Sequence, residues 1–293
     1  MSKIIVIVGP TGVGKTKLSI ELAKKLDAEI INGDSVAIYK ELNIGSAKPT
    51  KEELSEATHH LVNIRSVEED FSVYDYQLVG REILDKLISE NKNIIIVGGT
   101  GLYIKALLYD YRFSEEKNDY NFDDLSNVEI YNKIKEYDSN IDIHINNRKR
   151  LIRVLTRFLN GEEITHNKDK LLYDSIFIGL TSDREVIYKR INDRVDSMIH
   201  NGLIDEVINL KDKYTSSRIL NTAIGYKEFA SYFDGSDTKE EVISKIKRDS
   251  RRFAKRQYTF FNHQFDVNWF DVNFVDFDVT IKEIEDFINK KKK

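Results

Sequence analysis

The stretch KIIVIVGPTGVGKT, residues 3–16, decides the fold of this 293-residue chain. Its first part (3–8) is a short, mostly β-branched apolar run, which is typical of a parallel strand buried on both faces. Residues 9–16 match the pattern G-x-x-x-x-G-K-[ST] at every defined position, and a helical stretch begins at Lys15. A strand, a glycine-rich turn and a helix in this order predict a P-loop α/β core. The alternative is a tight turn without a ligand, which the agreement between motif and context disfavours.

The P-loop predicts a site for the pyrophosphate part of a substrate. Its glycines let backbone N–H groups surround phosphate oxygens, and the N-terminus of the following helix adds a favourable dipole. Lys15 adds a positive charge, and Thr16 offers a hydroxyl ligand to Mg²⁺. The residues predicted to hold the diphosphate are Gly9, Pro10, Thr11, Gly12, Val13, Gly14, Lys15 and Thr16.

The rest of the chain continues the α/β pattern. Short apolar runs at 28–32, 94–97 and 175–180 alternate with helical stretches, which predicts a mostly parallel sheet flanked by helices. An acidic, aperiodic segment and two helical stretches precede the last of these runs. We therefore expect a P-loop NTPase-like core formed by residues 1–111 and 173–293, with an all-helical insertion at 112–172.

Composition limits the class of protein. The hydrophobic fraction of 41% is that of a globular protein, and no apolar run approaches the roughly 20 residues that span a bilayer. The amino terminus lacks the features of a signal peptide, and the absence of cysteine excludes disulfides, thiolate nucleophiles and zinc–thiolate sites. We expect a cytoplasmic enzyme with no membrane and no obligate protein partner. The net charge of −4 requires that any RNA binding use local basic patches.

An acidic residue follows one of the predicted strands. ATPases and GTPases usually place an Asp after a second apolar strand, where it helps to hold Mg²⁺. The run at 94–97 instead ends in glycines and Thr100, whereas the strand at 28–32 is followed by Asp34. Because ligands of open α/β sheets bind at the carboxyl ends of the strands, Asp34 should face the P-loop. The alternative is an Asp that caps a turn.

Arg194 stands out on the helix predicted after Ser182, where Ser182 and Glu185 match the capping-box pattern. A charge on the apolar face of a helix is costly unless it is paired or binds an anion. We predict that Arg194 reaches the pyrophosphate from the side opposite the P-loop; the alternatives are pairing with a core carboxylate and extension to solvent. The apolar stripe that contains Arg194 consists of Ile187, Ile191, Val195 and Met198.

Two basic stretches interrupt the otherwise acidic chain. Residues 147–157 carry five basic residues and no acid, and residues 245–256 carry seven basic residues and one Asp. Such runs are most often solvated helix faces. Clustered positive charge in a chain of net negative charge instead favours contact with a phosphate backbone.

Seven segments occur in the order found in one family: GPTGVGKT (9–16), GDSVAIYKELNIGSAKP (33–49), HHLVNI (59–64), VGGTGLY (97–103), RVDSMIHNGLIDEV (194–207), AIGYKE (223–228) and AKRQ (254–257). They resemble the tRNA dimethylallyltransferases, also called tRNA isopentenylpyrophosphate transferases. The segments span most of the chain apart from the insertion and the C-terminus, and together they are far more specific than a P-loop alone.

The resemblance implies a reaction and its partners. The family binds dimethylallyl diphosphate with Mg²⁺ at the P-loop and transfers the five-carbon group to tRNA. The acceptor is N6 of the adenosine 3′-adjacent to the anticodon in tRNAs that read codons beginning with U, flipped into a channel. By motif position, Asp34 is the general base, whereas Thr16 and Arg194 act at the diphosphate. The residues implied to contact the anticodon stem-loop are Asp34, Ser35, Val36, Ala37, Thr100, Lys149, Arg150, Gly225, Tyr226 and Lys227.

The chain departs from the family pattern at four positions. Ala37 stands where the family commonly has Gln, which could remove one contact to the flipped base or its neighbours. The others are Ser46 in place of Thr, Asn63 in place of Asp, and Phe260 in place of the usual Trp.

Three other functions fit a P-loop chain. The nearest is prenylation of free AMP, ADP or ATP, although a mononucleotide requires neither basic stretch. The second is a small-molecule kinase in which Asp34 orients the acceptor hydroxyl. The third is an RNA-binding P-loop protein without catalysis.

Overall fold

The structure is a computed structural model that describes residues 2–113, 120–162 and 170–291. It divides into two compact units, one formed by Met1–Tyr109 with Leu171–Lys293 and the other by Asp110–Lys170. Parts of the predicted insertion, residues 114–119 and 163–169, lie outside the described residues.

One parallel sheet organises the larger unit. Its strands lie in the order β3-β2-β4-β1-β5-β6, and every neighbouring pair of strands in the described residues is parallel. The predicted class, a mostly parallel P-loop-like sheet flanked by helices, is confirmed. The strands are β1 (Ile4–Val8), β2 (Ala28–Asn32), β3 (His59–His60), β4 (Asn93–Val97), β5 (Ser175–Thr181) and β6 (Asn268–Asp271).

Helices cover both faces of the sheet, as parallel strands require. In β1, Val6 and Val8 belong to one apolar cluster, while Ile5 and Ile7 belong to the cluster on the opposite face. This alternation explains why the whole strand is apolar. The helices of the chain are α1 (Lys15–Leu26), α2 (Lys51–Glu56), α3 (Val73–Ser89), α4 (Gly101–Leu108), α5 (Asn127–Tyr137), α6 (Arg148–Leu159), α7 (Arg184–His200), α8 (Leu203–Lys213), α9 (Ala230–Phe233), α10 (Lys239–Gln264) and α11 (Phe277–Lys290).

In the described residues of the smaller unit, the regular secondary structure consists of the helices α5 and α6, joined by turns and loops. Its own apolar cluster includes Ile130 and Ile134 from α5 and Leu151 and Leu155 from α6, all nearly inaccessible to solvent. The predicted all-helical character of the insertion is therefore confirmed.

Two details of the sequence analysis need correction or addition. The predicted capping box at Ser182 is wrong, because α7 begins at Arg184 and its N-cap residue, Asp183, makes no side-chain capping hydrogen bond. The pattern also missed α2 and the two-residue strand β3, which are too short to show a period. None of the described helices is long and apolar enough to cross a membrane.

The strand topology brings three loops together. β2, β4 and β1 are adjacent in the sheet, so their carboxyl ends lie along one edge. The loops after β2 and β4 almost touch, because a Cβ added to Gly98 would lie 2.1 Å from the backbone of Gly33. Hydrogen bonds from Gly33 N–H to the Val97 carbonyl (2.7 Å) and from Thr100 N–H to the Gly33 carbonyl (3.0 Å) join them.

Candidate active site

The P-loop wraps around the ammonium group of Lys15. Lys15 Nζ donates hydrogen bonds to the carbonyl oxygens of Gly9 (2.9 Å) and Pro10 (2.8 Å). Gly12 and Gly14 have φ angles of 89° and 95°, a region that side chains with a Cβ rarely adopt. The glycines of the motif therefore allow a backbone curvature that residues with a Cβ would disfavour. This curvature brings the carbonyls of Gly9 and Pro10 to the ammonium of Lys15.

Enclosure of Lys15 disfavours its charged form. Burial lowers the pKa of Lys15 to about 8, the Asp34 carboxylate opposes this effect, and the nearby Arg194 adds to it. A cation whose charged form is disfavoured by burial and by a second cation favours an anionic ligand, because the anion stabilises the charged form.

Arg194 points at the P-loop and not at a core carboxylate. Its guanidinium donates to the hydroxyl of Thr11 at 2.9 Å, and no carboxylate among the described residues forms an ion pair with it. Burial lowers the pKa of Arg194, and the Asp34 carboxylate opposes this effect. Arg190, one helical turn earlier on α7, donates to the Gly12 carbonyl at 2.9 Å and so supports the loop from the same side.

Asp34 both closes a turn and presents a carboxylate oxygen to the site. Its Oδ1 accepts a hydrogen bond from Val36 N–H at 2.9 Å, while Oδ2 accepts none from the described residues. Asn32, which is buried, exchanges two hydrogen bonds with the Asp34 backbone and fixes its place after β2. The alternatives considered for Asp34 are thus compatible, because one oxygen caps the turn and the other remains available.

These groups line one cavity of about 340 Å³ in the larger unit. Its polar lining includes the cations Lys15 and Arg194 and the carboxylate of Asp34. Its apolar wall comes from α7 and is formed by Ile191, Val195 and Met198. The cavity can therefore hold a ligand that combines a polyanion with an apolar chain. The residues predicted for the site that line the cavity are Thr11, Lys15, Asp34, Ser35, Val36, Thr100, Arg194, Gly225 and Lys227.

Other predicted residues lie elsewhere. Gly9, Pro10, Gly12, Val13 and Gly14 belong to the loop and Thr16 to the first turn of α1, and these six do not line the cavity. The side chains of Ala37 (4% exposed) and Tyr226 (0% exposed) are buried and do not line the cavity. The assigned roles of these residues remain predictions.

Tyr226 helps to hold the rim of the cavity in place. Its hydroxyl donates to Glu206 on α8 at 2.7 Å, and burial raises the pKa of this hydroxyl. Glu206 also accepts backbone N–H groups from Ile44 (3.0 Å) and Gly45 (3.2 Å). Because Gly45 lines the cavity, this partly buried network anchors one rim segment to α8.

Lys227 is held between two acids at another part of the rim. Its ammonium lies 3.7 Å from Glu228 and 3.8 Å from Asp249 on α10. Glu228 in turn accepts a hydrogen bond from Gly225 N–H at 2.8 Å, and burial raises the pKa of Glu228. The positive charge of Lys227 is therefore fixed in direction at the cavity.

α10 contributes to the site more than its sequence pattern indicates. This helix lines the cavity with Ser250, Phe253, Arg256 and Gln257, and Gln257 contacts the P-loop directly. Local patterning could not identify these residues, because the basic run in which they lie resembles a solvated helix face. The match of AKRQ to the family was the one available signal.

The basic residues of the smaller unit differ in their roles. Arg148 is structural, since its guanidinium donates to the carbonyls of Phe122 (2.7 Å) and Leu125 (2.8 Å) before α5. Lys149, Arg150 and Arg153 are exposed and form no ion pair with a described residue.

Comparison with known families and proteins agrees with this geometry. The family described as IPP transferase matches residues 37–264. A tRNA dimethylallyltransferase of Anoxybacillus flavithermus is 46% identical over 281 residues, which cover 92% of this chain and 90% of the relative. That of Bacillus subtilis is 42% identical and covers 96% of this chain and 95% of the relative.

Solved structures give the same result. A tRNA isopentenylpyrophosphate transferase from Bacillus halodurans superposes with a TM-score of 0.79 at 40% identity, covering 99% of this chain and 97% of the other. A eukaryotic dimethylallyltransferase acting on tRNA gives a TM-score of 0.77 at 27% identity and covers 92% and 74% of the two chains. A parallel P-loop sheet, a cavity that pairs cations with an apolar wall, and this extent of similarity together show that the chain belongs to the IPP transferase family.

Proposed function

We propose that this protein transfers the dimethylallyl group of dimethylallyl diphosphate to N6 of an adenosine 3′-adjacent to the anticodon of tRNAs that read U-starting codons. One observation carries the proposal: phosphate-binding cations, an apolar wall and the available oxygen of Asp34 line a single cavity. The cations match the diphosphate, the apolar wall matches the five-carbon chain, and the Asp34 oxygen can accept the proton that the amine must lose.

The donor occupies the P-loop side in this proposal. Lys15, Arg194 and the backbone N–H groups of residues 12–16 stabilise negative charge that grows on the diphosphate as its bond to carbon breaks. The apolar chain lies against Ile191, Val195 and Met198, and the bound donor would displace water from this wall. This arrangement favours transfer to an amine over reaction with solvent.

Magnesium fits this donor site through few protein ligands. No group of three or more His, Cys, Asp or Glu in the described part of the chain could hold a metal alone. The Thr16 hydroxyl forms no hydrogen bond with a described residue, and such a hydroxyl suits Mg²⁺, which commonly binds through one or two protein groups plus substrate phosphates. When bound there, Mg²⁺ would neutralise charge on the leaving diphosphate.

The acceptor base approaches Asp34. Oδ2 of Asp34 orients the exocyclic amine and accepts its proton as the new C–N bond forms. The neutral amine is too weakly acidic to lose this proton first, so proton transfer accompanies or follows bond formation. Thr100, whose hydroxyl accepts a hydrogen bond from Ser35 N–H at 3.0 Å, holds the loop that carries Asp34.

Binding of tRNA uses local positive charge in a chain of net charge −4. Exposed Lys149 and Arg150 on α6 are available for phosphates, as is Arg256 at the cavity. Contacts with phosphates position a nucleic acid, whereas contacts within the cavity select the base.

One assay separates this function from its rivals. The protein is incubated with labelled dimethylallyl diphosphate and either unmodified tRNA, AMP or no acceptor, and separately with labelled ATP and small alcohols. We expect label in tRNA alone. Label in AMP would indicate an adenylate prenyltransferase, phosphorylated product would indicate a kinase, and tRNA binding without transfer would indicate a non-catalytic protein.

Replacement of Asp34 by Asn separates its two roles. Asn retains an oxygen that accepts Val36 N–H but cannot accept the proton, so kcat should fall by about 10²–10⁴ with tRNA affinity and melting temperature nearly unchanged. Asp276→Asn is the matched control, since Asp276 Oδ1 accepts Asp278 N–H in the same i to i+2 geometry at an exposed position. Turnover of the Asp34 variant within threefold of the parent would make Asp34 a turn-capping residue only.

Replacement of Arg194 by Ala should affect catalysis more than folding. Arg194 bonds to a hydroxyl, so its loss leaves no buried carboxylate unpaired, and stability should fall by less than about 1 kcal/mol. Both kcat and kcat/KM should fall by about 10²–10³, because charge on the leaving group is greatest in the transition state. Arg194→Lys should restore activity partly. A large loss of melting temperature with turnover preserved would assign Arg194 to folding.

Reversal of charge at Lys149 and Arg150 tests the role of the smaller unit. The double change to Glu should weaken tRNA binding and reduce the salt dependence by about 1 for each lost phosphate contact. The KM for dimethylallyl diphosphate should not change. The control is the same double change at Lys282 and Lys290, which are exposed on α11. Equal tRNA affinity of the two variants at several salt concentrations would show that Lys149 and Arg150 belong to a solvated helix face and do not bind tRNA.

A further inference from the structure

Gln257 joins two loops of the site through a buried amide. Its side chain projects from α10 and is 5% exposed. Oε1 accepts a hydrogen bond from Thr11 N–H in the P-loop at 2.9 Å, and Nε2 donates to the carbonyl of Gly99 after β4 at 3.0 Å. Both ends of the amide are therefore satisfied by backbone groups that belong to different loops.

Further hydrogen bonds connect each end of the Gln257 amide to a group proposed to act in the reaction. On the donor side, Thr11 also receives the hydrogen bond from Arg194 through its hydroxyl. On the acceptor side, Gly99 precedes Thr100, whose hydroxyl accepts Ser35 N–H at 3.0 Å and donates to Ser35 Oγ at 3.2 Å. Ser35 follows Asp34 directly, so a short chain of bonds runs from the diphosphate cradle to the general base.

The surroundings admit little other than a glutamine. A Cβ added to Gly99 would lie 2.2 Å from Nε2 of Gln257 and 3.4 Å from Oδ2 of Asp34, so the loop passes the amide without room for a side chain. Replacement by an apolar residue would leave the buried Gly99 carbonyl and the partly buried Thr11 N–H without these partners. An asparagine is one methylene shorter and could not span the same two atoms.

We propose that Gln257 is a positioning residue that sets the separation between the P-loop and the loop carrying Asp34. This inference rests on the proposed prenyl transfer, in which the two loops hold the two substrates. A displacement of about 1 Å between reacting groups can cost about 10²-fold in rate without a comparable loss of binding. Gln257 then contributes to kcat although it performs no chemical step.

The first test replaces Gln257 by Met, which has similar length and no amide. We expect kcat to fall by about 30- to 100-fold, with KM for dimethylallyl diphosphate and for tRNA within about threefold of the parent. Gln77→Met is the matched control, since Gln77 is also buried (7% exposed) and donates to the Ala106 carbonyl at 2.8 Å outside the cavity. It should lower the melting temperature and leave kcat unchanged.

The second test uses Gln257→Glu and pH, and remains informative if the Met variant folds poorly. The ionised carboxylate can accept Thr11 N–H but repels the Gly99 carbonyl, whereas the protonated acid can again donate to that carbonyl. Burial raises the pKa of a carboxyl group, so the ratio of kcat for this variant to kcat for the parent should rise as pH falls. The ratio cancels the titration of groups common to both proteins.

Three results would overturn the proposal: kcat of the Met variant within threefold of the parent, an equal loss of kcat in Gln77→Met, or a rise in KM without a fall in kcat. A pH-independent ratio for the Glu variant would also contradict it. The unchanged protein is assayed alongside, so that an absence of tRNA prenylation by the parent is recognised as failure of the proposed function and not of the bridge.

Discussion

The ammonium of Lys15, held by two backbone carbonyls beside the guanidinium of Arg194, is the interaction on which the site depends. Two cations in one partly enclosed cavity repel each other, and the Asp34 carboxylate compensates for them only in part. A polyanion removes this imbalance. The glycines of the P-loop, the start of α1 and the direction of α7 all serve to hold these two charges at the same place.

The strand order of the sheet places the groups for both substrates in one site. β1, β4 and β2 are neighbours, so the P-loop, the Gly99–Thr100 segment and the Asp34 turn lie along one edge. α10, which comes late in the chain, packs against that edge, and its residue Gln257 forms hydrogen bonds with two of the three loops. The backbone thus positions the groups that bind the donor and those that bind the acceptor.

The fold class and the family could be predicted because their signals are local or ordered along the chain. The apolar run of β1 followed by a complete P-loop motif predicts the core, and both the class and the family are confirmed. The position of Asp34 followed from the rule for strand ends. Gln257 escaped prediction, because its partners Thr11 and Gly99 are 246 and 158 residues away and no periodicity encodes such contacts. The burial of Ala37 and Tyr226 likewise depends on tertiary packing and not on local pattern.

The central claim is that a bound diphosphate stabilises the charged form of Lys15. It is tested most directly by a ¹⁵N NMR titration of the lysine side chains, with Lys15→Arg used to assign the Lys15 signal. The account predicts a pKa of about 8 in the free protein and a return towards the ordinary value of 10.5 with saturating dimethylallyl diphosphate. By linkage, affinity for the diphosphate should then fall as pH rises above 8 in the parent, and this fall should be absent in Lys15→Arg. A pKa of Lys15 that does not move when the diphosphate binds would contradict the account.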